Sequence, residues 1–249
     1  KYLEESNMTT TISQKHRALG TNITLTLFNE KNQNILAQSV ALIDYYEDLF
    51  TVNRSFSEVI NINQNAGLHP VKVSHSTYHL VKTAVAISQQ NKGFNALIGP
   101  LVSLWRIGFD NAKVPTTAEI ATRLTEIDPT NVQFDDENLQ IFLTKQGMQL
   151  DLGAIAKGYI ADRIYNLWES YDVSSGIINL GGNLLFYHDS PRRADGKWVI
   201  GVQDPSSQKR GEILASVTIS ACSAVTSGIY ERQLVKNGQH YHHILDSTT

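Results

Sequence analysis

The chain has 249 residues, 41% hydrophobic and 18% charged, with a formal net charge of -3 and a pI near 6.2. This is enough apolar content for a buried core and excludes intrinsic disorder, while the mild acidity leaves no broad electrostatic reason to bind nucleic acid. The single cysteine, Cys222, excludes an internal disulfide framework and a thiolate-rich zinc centre.

The chain begins at Lys1 rather than methionine and stops at Thr249 in a dense polar cluster, so both ends read as cuts. After a turn at Gly20, the run Thr21 to Phe28 alternates polar and apolar residues, as a half-buried strand does. Ile35 to Phe50 then repeats apolar residues at helical spacing. A polar loop at Thr51 to Ser57 follows, then a second helix from Ser76 to Gln90 capped by Ser76 or Thr77.

Gly93 to Phe109 has no clean period and reads as irregular. Thr116 to Ile127 reads as an amphipathic helix, and Val132 to Phe134 with Leu139 to Leu143 as a hairpin around Asp135 to Asn138. The second half predicts a helix from Ile155 to about Tyr171 and strands at Gly176 to Leu180, Leu184 to Tyr187, Trp198 to Val202 and Leu214 to Ser220. Cys222 reads as a small buried residue. No run of 18 apolar residues is present, so no segment reads as a transmembrane helix. The mixture predicts an α/β (α+β mixed) class, as a single compact unit of two lobes.

Four segments can carry chemistry. In Asp151-Leu152-Gly153-Ala154-Ile155-Ala156-Lys157-Gly158, an apolar strand end delivers Asp151 to a helix cap, small residues expose N–H groups that attract anions, and Lys157 adds positive charge. An ordinary N-cap with a solvated lysine fits the same letters. Leu180-Gly181-Gly182-Asn183 is a strand end whose glycines allow a sharp turn or a close ligand approach. His243 and Asp246 are three residues apart and fit a metal site, an acid–base pair or a hydrogen-bonded turn. Thr226-Ser227-Gly228 with Tyr230 and Arg232 can aim a hydroxyl and a guanidinium at a ligand, or simply start an exposed strand.

In chain order these segments resemble the FAD:protein FMN transferase family, the ApbE-type flavin transferases, over nearly the whole chain. Leu19-Gly20-Thr21 is similar to the family's M-G-T, and Asn53 through Ser57 to Asn63 to its polar loop. Phe94 to Trp105 is similar to F-D-x-x-x-G-P-L-V-x-L-W, and LDLGAIAKGYIAD, INLGGN, TSGIYER and HHILD complete the series. The resemblance implies that FAD is substrate as well as ligand, held in a cleft between two lobes with Mg2+ on its pyrophosphate. A Thr or Ser hydroxyl of an acceptor protein would take the FMN and AMP would leave. Such chemistry needs charge neutralisation and in-line positioning more than covalent help.

By resemblance, the Ala154 carbonyl would be a metal ligand and Asp151 and Lys157 would contact FAD. Asn53, Gly93, Phe94 and Asn95 would lie along the flavin or adenosine, Leu19 and Leu245 would supply apolar contacts, and Gly181 and Gly182 would shape the adjoining loop. His243 or Asp246 would help remove the acceptor hydroxyl's proton. Asn95 and Asn183 stand where many members have aspartate, so their hydrogen-bond roles can reverse without adding charge. The family's chain continues past H-x-x-D to an aspartate pair and a threonine that bind the metal, so a single flavin transferase domain cut short at Thr249 is expected to lack those ligands. The resemblance also implies work outside the cytoplasmic membrane, tethered through a lipid on an upstream cysteine. An FAD pyrophosphatase and a non-catalytic FAD-binding protein are the alternatives.

Overall fold

Alternation in Thr21 to Phe28 turns Ile23, Leu25 and Leu27 to one side, and all three are fully buried in the structure, a computed structural model that describes residues 10–207, 211–228 and 232–248. In chain order the elements are β1 (Thr11–Ala18), β2 (Thr21–Phe28), α1 (Gln33–Phe50), α2 (Glu58–Gln64), β3 (Val71–Lys72), α3 (His75–Ser88), α4 (Gly99–Trp105), α5 (Thr117–Leu124), β4 (Val132–Asp135) and β5 (Gln140–Leu143). Then come α6 (Ala156–Ser170), β6 (Ser175–Asn179), β7 (Asn183–Tyr187), β8 (Trp198–Gln203), β9 (Ile213–Ile219), β10 (Ser223–Val225), β11 (Gln233–Lys236) and β12 (Gln239–His242). The mixed α/β class is therefore the observed one, with antiparallel pairing throughout the described sheets.

The chain divides into two units, Lys1–Tyr45 with Lys157–Ser227 and Tyr46–Ala156 with Gly228–Thr249. The first is built on a five-stranded sheet in the order β1-β2-β6-β7-β10. One face takes Trp168 of α6, fully buried, whose ring lies so close to Gly176 that a Cβ there would meet it at 2.5 Å. The Trp168 indole N–H donates to Ser39 Oγ of α1 at 2.9 Å, and the Ser39 hydroxyl donates to the Ile35 carbonyl at 2.8 Å. The other face carries Phe28, Phe186 and Trp198, packed with Ile177, Ile200 and Ile219. Ser39→Ala would strand the buried indole N–H at a cost of about 1–3 kcal/mol. We expect a lower urea midpoint with an unchanged slope.

The second unit holds α2 to α5, the three-stranded sheet β3-β5-β4 and the ribbon β11-β12. The hairpin expected around Asp135 to Asn138 is present as β4 and β5. Three expectations are corrected and one strand is added. The cap of α3 is Ser74, not Ser76 or Thr77; its hydroxyl accepts from the Thr77 N–H, and Glu58 in turn accepts from the Ser74 backbone N–H and hydroxyl. The stretch read as irregular contains α4, because Pro100 starts a helix that Arg106 ends in the left-handed region. Cys222 is exposed, in the bend where its carbonyl accepts from the Phe186 N–H at 3.0 Å. The strand β1 goes unread because TISQKHRA pairs on one side only and leaves most of its side chains at the surface.

Candidate functional site

In the second unit three distant segments are knitted around Leu150, which is buried. Asn63, in the last turn of α2, brackets its backbone: the amide nitrogen donates to the Leu150 carbonyl at 3.0 Å and the amide oxygen accepts from the Leu150 N–H at 2.7 Å. One residue on, the Asp151 N–H donates to the Ala96 carbonyl at 2.8 Å. Ala96 is itself bolted to α3, its N–H donating to the Ser88 hydroxyl at 2.9 Å. Gly99 completes the join, since a Cβ on it would meet the Gln149 carbonyl oxygen at 2.6 Å. Gly99 is thus a packing requirement of this seam, and Pro100 beside it stands in the first turn of α4.

Asn95 spends both ends of its amide on backbone, donating to the Ile127 carbonyl at 2.9 Å and accepting from the Leu97 N–H at 2.8 Å. An aspartate there could accept from Leu97 but not donate to Ile127. Gly93, with φ +87 and open space around it, and the half-buried Phe94 lead into this segment. Asn53 stands apart on an exposed bend, its N–H donating to Thr51 Oγ1 at 3.1 Å. Beside it Arg54 pairs with Glu47 and Asp48, and Ser57 caps α2 by accepting from the Ile60 N–H.

Asp151 is not the cap of α6. Its carboxylate accepts from the Gly153 N–H at 2.8 Å, closing a side-chain turn two residues ahead, and a turn over residues 153–155 separates it from the helix start at Ala156. The Leu152 carbonyl receives the Ile155 and Ala156 N–H groups at 3.0 and 2.8 Å. Ala154 is exposed at the tip of this turn. Lys157, half-buried, follows in the first turn of α6, within the first unit.

The C-terminal segment brings two sequence motifs together. Trp105, last residue of α4, packs against Tyr241 of β12 with ring centroids 5.3 Å apart. They line a cavity of about 220 Å³ together with Leu101, His240, Leu245 and Asp246. The Asp246 carboxylate accepts from the Thr248 hydroxyl and N–H at 2.6 and 2.7 Å, and these bonds hold it below the usual carboxylate range. The shift makes Asp246 a poorer proton acceptor than an ordinary carboxylate. His243 Nδ1 lies 3.4 Å from the Arg232 carbonyl oxygen. Tyr230 and Thr249 lie outside the described residues.

In the first unit, Leu19 and Gly20 join β1 to β2, and Gly181 and Gly182 join β6 to β7. All four have positive φ, as two-residue turns matched to the twist of their strands require. β2 and β6 are antiparallel neighbours, so both turns lie at the same end of the sheet. The Gly182 carbonyl accepts from the Thr226 N–H at 3.0 Å, tying the end of β10 to the turn. Leu19 holds φ 54 with a side chain, a conformation that costs about 1–2 kcal/mol.

Asn63, Ser88 and Trp105 therefore support or line the candidate site in the second unit although no role attached to them from sequence. Asn63 and Trp105 stood inside motifs, but their partners are far away in the chain. Among the described residues, no group of three or more His, Cys, Asp or Glu is placed to hold a metal ion. The turn at Asp151 and Ala154 offers a carbonyl and a carboxylate, too few for a six-oxygen magnesium shell from protein groups. The described residues do not build that centre by themselves.

The family model described as the ApbE family matches residues 19–249. The chain is 43% identical over 229 residues to the FAD:protein FMN transferase of Klebsiella pneumoniae (strain 342), covering 92% of this chain and 69% of that protein. It is 36% identical over 226 residues to the FAD:protein FMN transferase of Treponema pallidum (strain Nichols), covering 86% of this chain and 62% of the relative. The crystal structure of the ApbE protein of Thermotoga maritima superposes with a TM-score of 0.87 at 30% identity, over 96% of this chain and 77% of that one. The chain thus spans about two thirds of the length of the curated relatives it matches.

Proposed function

The chain belongs to the ApbE family, and from that premise we propose that the protein moves FMN from FAD to a Thr or Ser hydroxyl of an acceptor protein, with Mg2+ required. The carrying observation is that the family match runs from Leu19 to Thr249 and so takes in every motif in order. The acceptor oxygen forms a bond to the FMN phosphorus, the bond from that phosphorus to the bridging oxygen breaks, and AMP leaves with that oxygen. The hydroxyl proton passes to a base. Of the two candidates His243 is favoured, because hydrogen bonds from Thr248 lower the basicity of Asp246.

Mg2+, when bound, would neutralise pyrophosphate charge, and the Ala154 carbonyl at the tip of the Asp151 turn is among the groups that would hold it. The chain's own contribution is placement. The Asp151 turn is held at a set position by Asn63, Ala96 and Gly99, which is the rigidity that oriented phosphoryl transfer needs. Leu245 and Trp105 offer an apolar, aromatic wall suited to a flat ring. Action outside the cytoplasmic membrane through an upstream lipid anchor belongs to the same proposal and rests on the resemblance alone.

The test is mass spectrometry of a candidate acceptor after incubation with the full-length protein, FAD and Mg2+. An added FMN mass is expected. Free FMN and AMP with an unmodified acceptor would make the protein a pyrophosphatase, and intact FAD would make it a binding protein. Asp151→Asn keeps an oxygen for the Gly153 N–H and removes only the charge. We expect normal thermal stability and a rate lowered by about tenfold or more. An unchanged rate would remove Asp151's charge from the reaction.

A further inference from the structure

None of the family motifs runs through His75 or His79, yet these two residues form a compact donor pair. They stand four apart on α3 and so share one face of it. Both are exposed, and their Nε2 atoms lie 3.1 Å apart. The rings converge with centroids 4.2 Å apart at 52°, so it is the nitrogens that are turned toward each other.

That spacing is a hydrogen bond between the rings and equally the spacing of two imidazoles on one metal ion. Two imidazole nitrogens at about 2.0–2.1 Å from one ion and 3.1 Å from each other subtend roughly 100°, between octahedral and tetrahedral angles. The helix beneath is firmly anchored. Ser74 caps it, Glu58 accepts from Ser74 and Thr77, and Tyr78, between the two histidines, is 2% exposed. Glu58 also brings negative charge to a helix start that would otherwise repel a cation. Asp136, held by the Tyr78 hydroxyl and by Lys82, lies near enough to His79 to interact with its charge.

We propose that His75 and His79 form a bidentate surface site for a divalent ion of the zinc, copper and nickel class. Imidazole pairs suit these ions, whereas Mg2+ prefers oxygen, so Mg2+ would not compete for the site. Each ring binds through Nε2 and carries its remaining proton on Nδ1. An imidazolium ring must first release a proton to solvent, so affinity falls as pH drops. Water completes the shell.

The test titrates the full-length protein with Cu2+ in excess Mg2+ and reads bound copper by electron paramagnetic resonance, with circular dichroism confirming the fold. One copper with two imidazole nitrogens is expected. His75→Asn and His79→Asn should each weaken binding tenfold or more and lose the two-nitrogen signature. The thermal shift produced by Zn2+ should vanish in both variants and be reversed by a chelator. Absence of copper binding in the parent overturns the proposal, and so does undiminished binding in the double variant, which would place the ion on other histidines.

Discussion

Asn63→Ala is expected to cost about 2–6 kcal/mol, because it leaves a buried carbonyl and a buried N–H of Leu150 without partners at about 1–3 kcal/mol each. The cavity left by the amide adds little, since Asn63 is half-buried. Asn63→Asp separates the two bonds. It keeps an acceptor for the Leu150 N–H but sets a charged oxygen against the Leu150 carbonyl, so it should be at least as destabilised as the alanine variant. The loss should reach the chemistry as well. Leu150 precedes the Asp151 turn directly, and a displacement of about 1 Å at a positioning element can cost about a hundredfold in rate. Urea unfolding and FMN transfer, measured on the same preparations, should fall together. A parent-like midpoint in Asn63→Ala would show that the bracket contributes nothing.

Gly181→Ala should be the other severe change. The residue sits at φ +71, and a Cβ there would lie 2.1 Å from Thr21 Oγ1 and 2.7 Å from Thr21 Cβ, so rotating the threonine cannot clear the clash. The left-handed backbone costs about 1–2 kcal/mol and the overpacking about 1–3 kcal/mol, together about 2–5 kcal/mol. Thr21→Gly in the same chain should recover the steric part and leave the conformational part. The alanine at 182 is the control, since its Cβ would come no nearer than 3.4 Å to Thr226. Gly182→Ala should therefore carry the backbone cost without the clash. Equal midpoints for the two single variants would overturn the steric account.

The secondary structure was largely legible because period and burial coincide within each element. Thr21 to Phe28, Ile35 to Phe50 and the hairpin at Asp135 to Asn138 were read correctly, each burying one regular stripe. Elements with no stripe or only a short one were missed: the exposed edge strand β1, the seven-residue α2 inside the stretch Asn53 to Asn63 that reads as a polar loop, the two-residue β3 and the ribbon β11-β12. The cap of α3 was misplaced because Ser74, Ser76 and Thr77 are chemically alike, and only geometry selects the hydroxyl that reaches an N–H three residues on.

By itself the sequence determined the mixed α/β class, the order of motifs and therefore the family, since all of these are properties of the chain read along its length. Only the tertiary structure decided what each polar residue is for. Asn95 and Asn63 are braces, Asp151 closes a turn instead of capping a helix, and Asp246 is held acidic by Thr248. The reason lies in the range of the forces. Burial imprints a local period, but a hydrogen bond such as that from Asn63 to Leu150 joins residues 87 positions apart and leaves no trace in the pattern of either.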